Sequence, residues 1–184
     1  MDLKEVTLSS EEIYRGKILT LKEEEVLLPD GKRAKRELVL HPGAVTLIPF
    51  LIENGENKIC FVRQFRKAVE EVLIELPAGK LEQGEEPISC AKRELLEETG
   101  LEAKKIIHLF DFYTSPGFCN ELMHLYLAET YRAKQAKPDE DEFLEVIFLS
   151  WKEVWQLLHE GKIKDAKTII GIQAAQDFLQ RGKK

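Results

Sequence analysis

The sequence predicts an α/β fold with a mixed sheet between helices, and three observations carry that prediction. Residues 44–52 form a nearly unbroken apolar run, as expected of a strand buried on both faces. A helix with its own start and stop signals lies between Pro87 and Gly100. A second helix opens on the capping box Ser150-Trp151-Lys152-Glu153, directly after another apolar strand. Strands and helices in this order place a sheet between helical layers, an α/β/α sandwich. The chain has 184 residues and is 43% hydrophobic, enough for one domain with a real core, or one domain and a small appendage.

The appendage is the N-terminal stretch. Residues 12–40 read as a small antiparallel unit, because Leu28-Pro29-Asp30-Gly31-Lys32 supplies a turn after the apolar run Val26-Leu27. Its strands are charged, and a lone hairpin is marginal, so it needs a partner surface on its own domain or on a second subunit. This divides the chain into an N-terminal β unit (1–42) that can form a dimer, and a main domain (43–184).

In the main domain, strands are expected at 44–52, 58–65, 72–76, 105–113, 121–128 and 143–149, the last interrupted by Glu145. Gly161 closes the helix that Ser150 opens. A final helix is expected over 166–180, with Ile172, Ala175 and Leu179 on one face. The net charge of −6 argues against a general basic nucleic-acid surface. No apolar run approaches the ~20 residues that cross a bilayer. The charged start Met1-Asp2-Leu3-Lys4-Glu5 does not read as a secretory leader, and a cytoplasmic location is expected. Cys60, Cys90 and Cys119 are odd in number and widely spaced, which fits free thiols. His41, His108, His124 and His159 lack ligand spacing and are expected to be structural or exposed.

The helix after Pro87 carries the chemistry. Ile88, Ala91 and Leu95 are spaced as an apolar packing stripe, while Glu94, Glu97 and Glu98 share one edge. Like charges at this spacing repel, and the negative end of the helix dipole adds to the cost. Such a cluster is either fully solvated or neutralised by a cation. Carboxylate oxygens suit Mg²⁺, with water and substrate phosphates completing its shell.

The flanking residues favour the cation. From Gly79 the chain runs five residues to Glu85, seven more, then Arg93-Glu94-Leu95-Leu96-Glu97-Glu98-Thr99-Gly100-Leu101. This 23-residue span resembles the signature of the Nudix hydrolases and fills each of its fixed positions. Pro116, sixteen residues after Gly100 in Ser115-Pro116-Gly117, resembles the ADP-ribose pyrophosphatase branch of that family. So do Lys35-Arg36-Glu37, Arg63-Gln64-Phe65-Arg66 and Asp165-Ala166-Lys167-Thr168.

The resemblance implies a Nudix-type sandwich and Mg²⁺-dependent hydrolysis of ADP-ribose to AMP and ribose 5-phosphate, with Mn²⁺ as a possible substitute. It implies Glu94, Glu97, Glu98 and the Ala78 carbonyl as metal ligands, with Gly79 allowing close backbone approach. Glu85 and Arg93 would form an orienting ion pair; the plainer alternative pairs Arg93 with Glu97 at the surface. Arg36 and Arg66 would bind phosphate or the terminal ribose, and Ser115 and Glu121 the sugar. The general base would be a glutamate of the acidic stretch 138–143: Glu140 first, Glu142 second. Near the N-terminal unit, Tyr14, Ile18 and Leu19 offer no aromatic pair for adenine. The branch also implies a homodimer acting on a small nucleotide, without nucleic acid or membrane. Two alternatives stay open: the same chemistry on another nucleotide sugar or a nucleoside triphosphate, and a non-catalytic ADP-ribose binder.

Overall fold

The computed structural model describes residues 2–53, 55–137 and 143–181. The chain forms two compact units, Met1–Gly43 with Tyr113–Leu122, and Ala44–Phe112 with Met123–Lys184.

The first unit is a three-stranded antiparallel sheet: β1 (Val6–Arg15), β2 (Thr20–Leu27) and β3 (Arg33–Leu40), in that order. The expected turn joins β2 to β3, with the Gly31 N–H donating to the Leu28 carbonyl at 2.9 Å. The unit begins earlier than residue 12 because β1 starts at Val6. All ten β1 residues are exposed, so the strand has no buried face to impose alternation on its sequence. The segment 113–122 is hydrogen-bonded to β3. The Val39 N–H donates to the Phe118 carbonyl at 2.7 Å, and the His41 N–H to Asn120 Oδ1 at 2.7 Å.

The second unit holds β4 (Ala44–Glu53), β5 (Glu56–Arg66), β6 (Glu71–Glu75), β7 (Ala78–Lys80), α1 (Pro87–Thr99), β8 (Leu101–Tyr113), β9 (Leu122–Arg132), β10 (Leu144–Ser150), α2 (Trp151–His159) and α3 (Ala166–Arg181). The sheet order is β10-β5-β4-β9-β8, with β6 on β5 and β7 on β4. β4 and β9 run parallel, whereas β4 pairs β5 and β7 antiparallel, so the sheet is mixed as expected.

Alternation along the central strands sorts the core into two layers. Ile48, Ile59, Phe61, Leu125 and Leu127 pack with Val154 of α2 and with Ile172 and Ala175 of α3. Their neighbours Val45, Leu47, Cys60, Tyr126 and Ala128 face the other way, with Cys90, Ala91 and Leu95 of α1. Each fully buried Leu, Ile or Phe here stabilises the fold by roughly 1.5–3 kcal/mol. This two-sided burial is the α/β/α sandwich.

Three residues depart from expectation. The double burial of β4 ends near Leu51, and Ile52 is 65% exposed. Ile88 does not pack: it is 42% exposed in the first turn of α1, whose buried residues are Cys90, Ala91, Leu95, Glu98 and Thr99. Leu179 is 39% exposed in the last turns of α3, past the buried Ile172 and Ala175. In each case the element outruns the surface that covers it. The 3-residue strand β7 was not anticipated, being too short for a periodic signal.

The Asp165-Ala166-Lys167-Thr168 motif has a structural role. Asp165 Oδ2 accepts from the Thr168 N–H at 2.9 Å and the Thr168 hydroxyl at 2.6 Å, which caps α3. The same hydroxyl oxygen accepts the Leu76 N–H at 2.7 Å, tying the helix start to the end of β6. Lys167 bonds the buried Glu75, which Arg66 grips with two further bonds at 2.7 Å. Burial opposes the Glu75 charge, but Arg66 and Lys167 outweigh it and hold the carboxyl below the usual range. Replacing Glu75 with Ala leaves the Lys167 ammonium, whose side chain is 10% exposed, with Asp165 alone at 3.1 Å, and leaves a void in the buried network. Loss of about 3 kcal/mol is expected, read as a lowered urea midpoint with unchanged slope.

Candidate active site

The chain from β6 into α1 is built to hold carboxylates against backbone. The Pro77 carbonyl accepts the Leu47 N–H at 3.0 Å and the Thr46 hydroxyl at 3.2 Å. β7 then pairs β4 in the register Thr46↔Ala78 and Val45↔Gly79. These bonds fix Ala78 and Gly79 to the middle of the sheet.

α1 is delivered by a loop ending in Pro87 at its first turn, and it stops at Gly100 with φ +70°. That left-handed cap lets the Gly100 N–H reach the Leu96 carbonyl. Burying Ala91 and Leu95 rotates the acidic edge toward β7. Glu98 is only 4% exposed, and its Oε2 accepts the Ala78 N–H at 3.1 Å. Glu94 lies so close to Gly79 that a Cβ there would sit 1.9 Å from the carboxylate carbon. Any larger side chain at 79 would have to displace this carboxylate.

Arg93 organises the edge. Its Nε and Nη2 bond Glu85 in a two-pronged pair at 3.0 and 2.9 Å. Its Nη1 reaches Glu94 at 2.8 Å and Glu97 at 3.0 Å. One guanidinium thus spans all three carboxylates. Hydrogen bonding to Arg93 pulls the Glu85 carboxyl down to about 2 against the cost of burial, and Glu85 in turn raises Arg93. Burial, with the Glu85 charge adding to it, pushes the Cys90 thiol up to about 12. Cys90 stays a neutral thiol that donates to the Lys80 carbonyl.

The lowered Glu85 pKa carries a pH signature. Its contribution to stability is complete above the unfolded value of 4.5 and is lost as pH falls toward 2. Metal-free Glu85→Gln is therefore expected to melt below the wild-type protein at neutral pH. The gap in Tm should close as pH is lowered through that window.

The other expected residues fall in two places. In the second unit, Arg66 turns two guanidinium nitrogens onto Glu75, which fixes the plane of the fork. In the first unit, Arg36 pairs with Glu5, its Nε at 2.9 Å. The Ser115 carbonyl accepts the Phe118 and Cys119 N–H groups in a tight turn. Glu121 accepts the Thr114 hydroxyl at 2.7 Å and lies 3.6 Å from His41 Nδ1. Glu140 and Glu142 lie outside the described residues; Lys137, just before that stretch, donates its N–H to the Glu97 carbonyl at 2.8 Å.

Two features escaped the sequence reading. The first unit contains a cleft of about 290 Å³ lined by Leu38, Leu40, Tyr113, Pro116 and Phe118. Its aromatic side chains, Tyr113 and Phe118, come from a segment too distant in sequence from residues 14–19 for local pattern to reveal. In the second unit His108 and His124 do share a partner, Asp111, although their spacing gave no sign of it.

A sandwich carrying this carboxylate edge is the architecture of a Nudix-type hydrolase. The NUDIX domain family model matches residues 41–170, and that of the nucleoside diphosphate sugar hydrolase N-terminal domain matches residues 5–39. The chain belongs to the Nudix family and is a Nudix hydrolase. It is 47% identical over 176 residues to an ADP-ribose pyrophosphatase of Bacillus subtilis (strain 168), covering 95% of this chain and 94% of that one. A methanol dehydrogenase activator of Bacillus methanolicus is 45% identical over 175 residues, covering 94% and 93%. A GDP-mannose pyrophosphatase of Cronobacter sakazakii (strain ATCC BAA-894) is 36% identical over 168 residues, covering 86% and 83%. The crystal structure of an ADP compounds hydrolase superposes with a TM-score of 0.84, covering 99% of this chain and 98% of that one. At 19% identity that match speaks to the fold.

Proposed function

We propose that this chain hydrolyses the pyrophosphate of ADP-ribose to AMP and ribose 5-phosphate, using Mg²⁺ held by Glu94, Glu97, Glu98 and the Ala78 carbonyl. The observation that carries the reading is the convergence of helix carboxylates on the backbone of β7, with Glu98 on the Ala78 N–H and Glu94 against Gly79. An oxygen-only donor set of this kind suits a hard divalent ion. Bound there, the ion would neutralise phosphoryl charge and lower the pKa of a coordinated water.

The chain's own groups do the rest. Arg93 holds Glu94 and Glu97 on one nitrogen and orients them while Glu85 anchors its far side. Arg66, fixed by Glu75, and Arg36 would present guanidinium to phosphate or ribose. Ser115 and Glu121 would hold the sugar hydroxyls. Glu140, with Glu142 next, would take the proton from the attacking water, and the Lys137 bond to Glu97 ties the start of that stretch to the last turns of α1. The aromatic cleft of the first unit would accept a base or sugar ring.

ADP-ribose is favoured over other diphosphates by the 47% identity to a pyrophosphatase of that name. GDP-mannose pyrophosphatases at 36% identity favour a second reading, hydrolysis of another nucleotide sugar. Phosphatase-coupled phosphate release with Mg²⁺ separates them: kcat/KM is expected to be greatest for ADP-ribose, below it for GDP-mannose and least for a nucleoside triphosphate. A greater value for GDP-mannose overturns the assignment. A homodimer in the cytoplasm completes the proposal. The fully exposed β1, with Val6, Leu8, Ile13 and Tyr14 uncovered, supports the dimer. Sedimentation should give twice the chain mass, and a fully active monomer would remove the need for a partner.

A further inference from the structure

The geometry points to a second cation site, built from His108, Asp111 and His124 and suited to Zn²⁺. His108 and Asp111 belong to β8 and His124 to β9, strands that are neighbours in the sheet. His108 Nε2 lies 2.6 Å and His124 Nδ1 2.8 Å from the same atom, Asp111 Oδ1. One ligand atom from each residue falls within 4.8 Å of the other two. Two imidazole nitrogens aimed at one carboxylate oxygen is the proton-bridged form of a His₂Asp donor set.

The step to an ion is short. Tetrahedral Zn²⁺ with bonds of ~2.0–2.1 Å places its ligand atoms ~3.3–3.4 Å apart. The two His–Asp distances need open by only about 0.6 Å around a central ion, and the two imidazole nitrogens already lie within 4.8 Å of each other. Each neutral imidazole then moves its proton to its other nitrogen and offers the lone pair to the ion. A fourth position is open to water, because the His108 and Asp111 side chains are 47% and 38% exposed.

The surroundings favour a held geometry. His124 is 16% exposed, and His108 packs on the ring of the buried Tyr126 at 5.3 Å between centroids. Tyr126 lies two residues from His124 on the same strand face, so one rigid strand supports both imidazoles. Nitrogen donors also set this site apart from the all-oxygen edge of α1. Imidazole selects Zn²⁺ and its neighbours over Mg²⁺, whereas carboxylate and carbonyl oxygen suit Mg²⁺. A Zn²⁺ ion here could brace the β8–β9 pair.

The test is calorimetric titration of Zn²⁺ into the full chain under excess Mg²⁺, repeated with Co²⁺ and read by its visible absorption. The wild type is expected to bind one ion tightly and to give the intense spectrum of low-coordinate Co²⁺. His108→Ala, whose exposed side chain makes misfolding improbable, and Asp111→Asn should each weaken binding by at least about 100-fold. Failure of the wild type to bind Zn²⁺ under excess Mg²⁺ overturns the site. So does wild-type affinity retained in either variant.

Discussion

Glu98→Gln is expected to lower kcat by about 1,000-fold while Tm stays within a few degrees of wild type. The size follows from the proposed role of Glu98 as a charged ligand in a metal-assisted displacement, worth several kcal/mol at 1.36 kcal/mol per decade of rate. The preserved fold follows from the shape of the substitution. Glutamine is isosteric, and its carbonyl oxygen can still accept the Ala78 N–H that Glu98 now accepts at 3.1 Å. The buried end of α1 thus keeps its hydrogen bond and loses only a negative charge. Rates from phosphatase-coupled phosphate release, taken over a wide Mg²⁺ range, read the first outcome; thermal unfolding reads the second. Wild-type kcat at saturating Mg²⁺ would remove Glu98 from the metal site. A collapsed Tm would instead make its role structural.

Legibility of the fold in the sequence followed burial. The strands that cross the core, β4, β5 and β9, imposed their pattern because side chains on both faces meet helices. The capping box at Ser150 was readable because a cap is local: its hydroxyl, the Glu153 side chain and their two N–H groups lie within one turn. β1 was readable only in its second half, since an exposed strand has no constrained face. Ile88 and Leu179 misled for a related reason. Helical spacing tells which residues share a stripe, but not how far the neighbouring sheet extends beneath it.

The site was legible where its residues are local and illegible where they are assembled over distance. Glu94, Glu97 and Glu98 lie on one helix, and their spacing alone suggested the shared edge, while the Glu85–Arg93 pair was expected from the family resemblance. The Glu75 network was hidden, because it joins Arg66, Lys167 and Asp165 from elements about ninety residues apart. The motif at 165–168 was noticed for its likeness to a family branch; its physical basis is a helix cap fused to a buried ion network. His108 and His124 were set aside for the same lack of local spacing, and strand pairing brings them together.

Gly79→Ala tests whether backbone proximity matters as much as charge. Gly79 is absent from the positive-φ glycines, so alanine meets no backbone strain there. The obstacle is steric: the new Cβ would lie 1.9 Å from both the Cδ and Oε1 of Glu94. What must yield is the end of a flexible side chain, so the fold should survive at a cost of about 1 kcal/mol or less. Glu94, however, must swing away from β7 and from its 2.8 Å bond to Arg93. The carboxylate edge then loses its preset geometry, and the Mg²⁺ requirement should rise together with a fall in kcat of about 100-fold. Glu94→Gln provides the comparison, since it keeps the shape and removes the charge. If Gly79→Ala matches wild type in both kcat and half-saturating Mg²⁺, Glu94 has no need of its place against the strand. If the variant is slow but Glu94→Gln is not, the catalytic contribution belongs to the backbone of β7 rather than to the carboxylate it touches.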